Sequence, residues 1–212
     1  MSDIITFYTN PMSRGRIVRW MLEEVGEPYE TVLLDYGTTM KGADFLAVNP
    51  MGKVPAIKHG ETIVTEAAAI CAYLADMFPD KGLAPPPSHP LRGPYYRWMF
   101  FAAGPVEAAV TAKALGLLAP EEKKTMAGYG TFDETMNVLE RAVSQGPYIC
   151  GDQFTAADVY VGSQIGWGMM FGTIDKRPAF AEYVQRIQSR PAAQRANEID
   201  DAALPKKEEQ PA

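Results

Sequence analysis

The chain has 212 residues, a formal net charge of −6, 47% hydrophobic residues and 22% charged residues, which is the balance of a globular protein large enough for two small domains. The acidic charge and the lack of a basic cluster argue against nucleic acid or an anionic membrane as a partner. Because there is no run of 18 apolar residues, we expect no membrane span. The start has no basic region before an apolar one, so we expect no export signal and a cytoplasmic protein. Cys71 and Cys150 should then be reduced thiols.

Strand and helix patterns alternate over residues 1–79. The strand patterns are short apolar runs rich in β-branched and aromatic side chains, at residues 4–8, 29–34, 54–57 and 62–64. The helix patterns place apolar side chains three and four residues apart, at residues 16–25 and 66–78. The first strand–helix–strand order implies a parallel pair, and the last two strands read as a hairpin. We therefore expect a βαβ–ββα unit in an α/β domain.

A proline-rich stretch follows this domain, and the pattern after it is helical. Residues 80–92 include Pro85-Pro86-Pro87 and predict a semi-rigid linker. Residues 93–203 predict an all-helical domain, with helices at about 91–118, 121–144 and 179–189 and one that begins after Thr155. The Thr155 hydroxyl and the Asp158 carboxylate have the spacing of a helix-capping box. Residues 204–212 predict a disordered tail.

The segment Val54-Pro55 and the helix start at Glu66 suggest a binding site. A proline cannot donate to a central sheet ladder, so Pro55 must stand at the start or edge of its strand. We predict that the Val54–Pro55 bond is cis, which leaves the Val54 backbone groups free for an extended peptide to add as a strand. The helix that opens at Glu66 has N–H groups that attract a carboxylate. Together these features predict a site for a small acidic peptide.

Four motifs, in order, resemble the glutathione transferase family over nearly the whole chain. They are Tyr8 followed by Ser13, the pair Val54-Pro55, the pair Glu66-Ala67 and the sequence Phe154-Thr155-Ala156-Ala157-Asp158. The resemblance implies a thioredoxin-like first domain and an all-α second domain. It implies glutathione as co-substrate, an apolar electrophile as second substrate, a homodimer and no metal.

The resemblance also implies which residues bind glutathione. Glu66 would take the ammonium of the γ-glutamyl group, and the residue after it would bind the γ-glutamyl carboxylate. That residue is commonly serine in the family and is Ala67 here, so only its N–H remains for this contact. Val54 would pair with the peptide backbone. Lys53 and Lys41 would pair with the glycyl carboxylate.

The thiol activator is predicted to lie in the turn after the first strand. A hydroxyl that donates to the sulfur stabilises the thiolate and lowers the thiol pKa. The resemblance to serine-type members assigns this role to Ser13, although Ser13 also suits a plain cap of the following helix. Asn10, Thr9 and Tyr8 remain alternatives, because other members use a donor at one of these places.

Two aromatic patches in the helical half, at residues 95–101 and 167–171, predict the electrophile pocket. Tyr95 to Phe101 contains six aromatic or methionine residues in seven positions, which is too many for one buried helix face. We expect a pocket lined by Tyr96, Trp98, Met99, Phe101, Trp167 and Met170.

Two other functions fit the same sequence. A non-catalytic binding or assembly protein of this fold would keep the Val54-Pro55 pair and lack a working activator, and the alanine at position 67 favours it. A thiol reductase would need a cysteine in the turn after the first strand, and this turn contains none.

Overall fold

The structure, a computed structural model, describes residues 4–205. The described chain divides into two compact units, one of residues 4–70 and 191–205 and one of residues 71–190. The first unit is a four-stranded mixed sheet with helices and the second is all-helical. The predicted fold class is therefore confirmed. Residues 206–212 of the predicted tail lie outside the described residues.

The sheet of the first unit has the strand order β2-β1-β3-β4. Its strands are β1 (Ile5–Thr9), β2 (Tyr29–Leu33), β3 (Ala56–His59) and β4 (Thr62–Thr65). β1 and β2 are parallel, as predicted from the first strand–helix–strand order, whereas β1 with β3 and β3 with β4 are antiparallel. The helix α1 (Gly15–Val25) and the start of α3 (Ala67–Met77) follow the strands in the predicted order, and a short helix, α2 (Ala43–Val48), precedes β3.

After α3, the described residues of the second unit form five α-helices. They are α4 (Arg92–Phe101), α5 (Glu107–Ala114), α6 (Phe132–Val143), α7 (Ala156–Phe171) and α8 (Pro178–Gln188). The predicted helix over 91–118 is interrupted by a π-helical turn at 102–106, because Pro105 lies inside it and cannot donate to the helix ladder. The helix predicted to begin at 121 begins at Phe132 instead.

Two capping boxes explain the starts of α6 and α7. Residues 121–126 form a 3-10 turn, and the Thr131–Glu134 capping box then sets the start of α6. The predicted Thr155–Asp158 box is confirmed: Asp158 Oδ2 accepts the N–H of Thr155 at 2.9 Å. Asp158 also accepts the Ile149 N–H and the Tyr183 hydroxyl, both at 2.8 Å. This second box is fully buried and ties α7 to α8 and to the loop before it.

The last described helix, α9 (Pro191–Ala202), belongs to the first unit, whereas the sequence predicted residues 93–203 as one helical domain. Pro191 comes just after the helix predicted at residues 179–189, and proline is favoured at the first position of a helix, where α9 begins. The buried face of α9 is small and packs against α1. Arg19 of α1 and Asp200 of α9, both nearly fully buried, form an ion pair at 3.2 Å.

Candidate active site

The register of the sheet brings three predicted site segments to one edge of the first unit. Tyr8 lies opposite Ala56 in the β1–β3 pair, and Ala56 lies opposite Thr65 in the β3–β4 pair. The turn after β1, the Val54-Pro55 pair before β3 and Glu66 after β4 therefore all leave the sheet at the same end. Neighbouring strands are about 4.8 Å apart, so three adjacent strands place these segments within about 10 Å of one another.

The Val54–Pro55 peptide bond is cis, as predicted. Val54 lies before the start of β3 at Ala56, and no residue in 4–205 is seen to hydrogen-bond to its N–H or C=O. Its half-buried side chain packs, together with the ring of Tyr8, against a cluster of Leu34, Met40, Phe45 and Ala56. The side chain thus anchors Val54 while its backbone groups stay available to an added strand.

The loop before Val54 is held by a residue that the sequence analysis did not assign. Asn49 is buried, and its Nδ2 donates to the C=O of Lys53 at 2.7 Å while its Oδ1 accepts the N–H of Met51 at 3.1 Å. These bonds orient the peptide unit that precedes Val54. The Asn49-Pro50 dipeptide is a turn signal that could have identified this role.

The two predicted lysines differ in their surroundings. Lys53 is exposed, and no pairing of its ammonium group is seen with any residue in 4–205. Lys41 Nζ donates to the carbonyls of Met51 and Gly52, both at 2.9 Å. Gly52 has φ +57, and a Cβ built on it would lie 2.6 Å from the Met40 carbonyl, so only glycine fits here. Lys41 therefore braces the loop next to Lys53.

Glu66 has the one positive φ among the described non-glycine residues, at 67°. A non-glycine residue held in this region costs on the order of 1–3 kcal/mol, and such residues cluster at functional sites. The side chain is exposed, and the Glu66 C=O accepts the N–H of Ile70 at 2.9 Å. The left-handed backbone places Glu66 between strand and helix, directly before the unbonded N–H groups that begin α3. No sequence signal indicates this conformation.

Ser13 is nearly buried, and its hydroxyl is engaged within the turn. Ser13 Oγ donates to the Asn10 carbonyl at 2.7 Å and accepts the N–H of Gly15, the first residue of α1, at 2.9 Å. The Asn10 carbonyl also accepts the Ser13 N–H at 3.0 Å. Because that carbonyl keeps one donor, the hydroxyl can turn to another acceptor without leaving a carbonyl unbonded.

The three alternative activators have different environments. Asn10 Nδ2 donates to the Leu34 C=O at 2.8 Å, and Asn10 Oδ1 accepts the Met12 N–H at 2.9 Å. Thr9 is fully buried under Gly15, and its hydroxyl oxygen has no hydrogen-bond partner among the described residues. Tyr8 is half-buried, with its ring centroid 5.6 Å from that of Phe45. Thr9 is therefore enclosed in this conformation, whereas Asn10 and Tyr8 are partly accessible.

The residues predicted for the electrophile pocket separate into core and surface within the second unit. Trp98 and Met99 are buried. Phe101 and Trp167 are half-buried, and Tyr96 and Met170 are exposed. The Tyr96 hydroxyl accepts from Arg92, whose guanidinium also binds Asp76. The structure therefore packs two of the six residues into the helical core and leaves four accessible to some degree.

The two cysteines lack the setting of redox-active thiols. Burial raises the pKa of the Cys150 thiol to about 12 and moves the pKa of Cys71 further upward. Reactive thiols need partial exposure and a lowered pKa. Among residues 4–205, no three His, Cys, Asp or Glu side chains are grouped so that they could hold a metal ion, and no helix there is long and apolar enough to span a membrane.

Two protein-family models match the chain. One is described as the glutathione S-transferase N-terminal domain, over residues 12–77, and the other as the glutathione S-transferase C-terminal domain, over residues 107–186. Among curated proteins, glutathione S-transferase GstA of Escherichia coli O157:H7 is 29% identical over 179 residues, which is 82% of this chain and 88% of GstA.

Solved structures are similar over almost the whole chain. A glutathione transferase from Methylococcus capsulatus is 31% identical, with a TM-score of 0.78 over 94% of this chain and 100% of that one. A sphingomonad glutathione S-transferase complexed with glutathione is 29% identical, with a TM-score of 0.74 over 92% of this chain and 98% of that one.

Proposed function

The chain belongs to the cytosolic glutathione S-transferase family, and from that premise we propose that it transfers the glutathione thiolate to apolar electrophilic small molecules. The observation that carries the proposal is the convergence, at one sheet edge, of the unbonded Val54 backbone, the left-handed Glu66 and the polar turn at residues 9–13. A strand edge, an anionic side chain and a helix start together match an extended peptide with one ammonium and two carboxylates.

Glutathione would bind as an added strand beside Val54. Its cysteinyl backbone would pair with the Val54 N–H and C=O, which no described residue occupies. The exposed Glu66 carboxylate would take the γ-glutamyl ammonium. The N–H of Ala67, at the start of α3, would bind the γ-glutamyl carboxylate. Lys53 would face the glycyl carboxylate, with Lys41 beside it.

Activation of the thiol is assigned to Ser13. When glutathione binds, the Ser13 hydroxyl exchanges the Asn10 carbonyl for the sulfur and donates to it, which lowers the thiol pKa. The thiol proton leaves to solvent, and the thiolate forms a C–S bond with the electrophilic carbon while the leaving group departs with the bonding electron pair. A depression of about two pKa units makes most of the bound thiol reactive at neutral pH.

The electrophile would contact the accessible aromatic and methionine side chains of the helical unit. Tyr96, Phe101, Trp167 and Met170 are exposed or half-buried, and methionine adapts to ligands of different shape. Trp98 and Met99, which are buried, would support this surface from below. We also propose that the enzyme works as a homodimer in the cytoplasm.

A calorimetric titration with glutathione, followed by an assay with a chromophoric aryl electrophile, tests the proposal. We expect binding in the micromolar to millimolar range that is typical of enzyme substrates, and product formation well above the rate without enzyme. Failure to bind glutathione would refute the proposed function.

A non-catalytic binding protein of the same fold is the second candidate. Two observations favour it: Ala67 offers no hydroxyl to glutathione, and the Ser13 hydroxyl already donates to the Asn10 carbonyl. Glutathione binding without turnover, across a panel of electrophiles and pH values, would identify this candidate.

A further inference from the structure

The guanidinium of Arg16 connects the turn that carries the proposed activator to a helix that is distant in sequence. Arg16 Nε donates to the carbonyl of Pro11 at 2.7 Å, and its terminal Nη2 binds the carboxylate of Asp201 in α9. Pro11 lies between Asn10 and Ser13, in the middle of the turn. One side chain therefore contacts both the backbone of the turn and α9.

The helix α9 is itself held firmly on α1. Its buried side is made of small side chains and one carboxylate, at Ala192, Ala193, Ala196 and Asp200. Asp200 pairs with Arg19, whose guanidinium also donates to Tyr29 Oη at 3.1 Å and to Thr31 Oγ1 at 2.7 Å in β2. At the other end, Arg195 pairs with Glu23 of α1 at 3.2 Å. α9 is therefore held firmly on α1, and its Asp201 gives Arg16 a bonding partner with a fixed position.

At its two ends the turn is joined to the rest of the unit: the Thr9 carbonyl accepts the Leu34 N–H at 2.9 Å, and Ser13 Oγ accepts the Gly15 N–H at 2.9 Å. Its internal bonds join Asn10 to Met12 and to Ser13. Between these ends, the side-chain bonds seen among residues 4–205 are those of Asn10 to Leu34 and of Arg16 to Pro11, and the weaker contact of Tyr36 Oη with the Met12 carbonyl is 3.4 Å long. The Pro11 carbonyl therefore depends on Arg16, and the orientation of Arg16 depends on Asp201.

We propose that α9 braces the turn that activates the thiol, with Arg16 and Asp201 as positioning residues. The inference rests on the proposed function, because its consequence is the angle at which the turn presents its hydroxyl to the glutathione sulfur. A donor must lie within hydrogen-bond distance of the sulfur to stabilise the thiolate, and a displacement of about 1 Å can cost as much as a hundredfold in rate. Arg16 and Asp201 themselves need not touch glutathione.

The test compares four variants with the wild-type protein. Arg16→Gln and Asp201→Asn break the brace, and Arg16→Lys keeps the positive charge while losing the planar fork that reaches both partners. Arg195→Gln is the matched control, because it breaks another ion pair between α9 and α1 that lies away from the turn. The readouts are the pKa of bound glutathione from thiolate absorbance, the glutathione Kd, kcat, and hydrogen exchange of the peptide that covers residues 9–17.

Arg16→Gln should lower kcat at neutral pH about five- to tenfold and Asp201→Asn about two- to threefold, with the glutathione Kd changed less than twofold. In both variants the thiol pKa should rise and the turn should exchange hydrogen faster. Arg16→Lys should resemble Arg16→Gln, and Arg195→Gln should leave the thiol pKa and the exchange of the turn as in wild type. Since the Asp201 side chain is 61% exposed, the ion pair is screened by solvent and contributes little to stability, so the variants should fold.

The outcomes separate this inference from the proposed function. If the wild-type protein does not bind glutathione or does not lower its thiol pKa, the proposed function fails and the brace fails with it. If wild type lowers the thiol pKa and the Arg16→Gln and Asp201→Asn titrations coincide with it, only the brace is overturned. Wild-type behaviour of Arg16→Lys would mean that charge acts rather than position, and would also overturn it. An equal effect of Arg195→Gln would also overturn the brace, because the change would then come from general loosening of α9.

Discussion

The turn at residues 9–13 and the segment from Lys53 to Ala67 meet at one edge of the sheet, but they differ in whether their polar groups are already hydrogen-bonded within the protein. In the turn, the side chains of Asn10 and Ser13 bond to nearby backbone, and Thr9 is enclosed. In the second segment, Val54 leaves its backbone unbonded by any described residue, and Glu66 and Lys53 extend outward. Under the proposed function, the segment could receive glutathione as it stands, whereas the turn would have to exchange a hydrogen bond to act on the thiol.

The largest expected effect tests whether the Ser13 hydroxyl makes that exchange. Ser13→Ala should raise the pKa of enzyme-bound glutathione by one to two units and lower turnover at neutral pH about ten- to a hundredfold, because each pKa unit is tenfold in thiolate below the pKa. Glutathione affinity should change much less, since Val54 and Glu66 are the proposed main contacts of the peptide. Thiolate absorbance over a pH series in wild type and variant measures the shift.

Ser13→Ala should also lower the free energy of unfolding by about 1 kcal/mol, because the Gly15 N–H loses its acceptor. If stability falls and the two thiol titrations coincide, Ser13 is only a helix cap. Asn10, Thr9 and Tyr8 then become the residues to replace, in that order.

The second effect tests whether Glu66 receives the ammonium of glutathione. Glu66→Ala should weaken glutathione binding about tenfold or more, since a hydrogen bond to a charged group contributes about 1.5–3 kcal/mol. The free energy of unfolding should change by less than about 0.5 kcal/mol, because the side chain is exposed. Calorimetry measures the affinity. Glu61→Ala, an exposed glutamate at the opposite end of the same hairpin, is the control and should bind as wild type does.

The positive φ of Glu66 gives a companion test of the same residue. Glycine adopts this backbone region without steric cost, so Glu66→Gly should raise the free energy of unfolding by about 1 kcal/mol relative to Glu66→Ala, while glutathione affinity falls equally in both. Urea unfolding of the two variants measures the difference. Equal stability would show that the left-handed conformation carries no strain.

Thr9→Val separates the enclosed hydroxyl of the turn from the accessible ones. The Thr9 oxygen is buried and has no hydrogen-bond partner in residues 4–205, and an unpaired buried hydroxyl costs about 1–3 kcal/mol. The variant should therefore be as stable as wild type or more stable by about 1 kcal/mol, with the thiol pKa unchanged. Thermal unfolding and the thiolate titration measure the two effects, and a raised thiol pKa would make Thr9 the activator.

The smallest effect concerns the departure from the family at position 67. Ala67→Ser adds a hydroxyl at the first residue of α3, where it could donate to the γ-glutamyl carboxylate. One neutral hydrogen bond contributes about 1 kcal/mol, so glutathione affinity should stay equal or rise up to about fivefold by calorimetry. A clear fall in affinity would mean that this position does not face the γ-glutamyl carboxylate.

Local patterns in the sequence predicted the elements of the fold but not all of their limits. The apolar spacing of residues 17–25 predicts α1 and Gly26 its end, because helix periodicity and a left-handed C-cap depend on neighbouring residues alone. The Thr155–Asp158 box was predictable for the same reason. The predicted start of α6 was wrong by about ten residues because the charged run after Pro120 suits the start of a helix, whereas it forms only a 3-10 turn and the Thr131–Glu134 box starts α6.

By itself, the sequence determined the order of the strands and of most helices, the cis proline and most residues of the candidate site. Only the tertiary structure decided how those residues are arranged: the register that joins three segments at one sheet edge, the left-handed backbone of Glu66, and the engaged hydroxyl of Ser13. The pairing of Arg16 with Asp201, 185 residues apart, likewise has no local signal. A helix or a turn is stabilised by bonds within a few residues, whereas these arrangements depend on strand pairing and packing between distant parts of the chain.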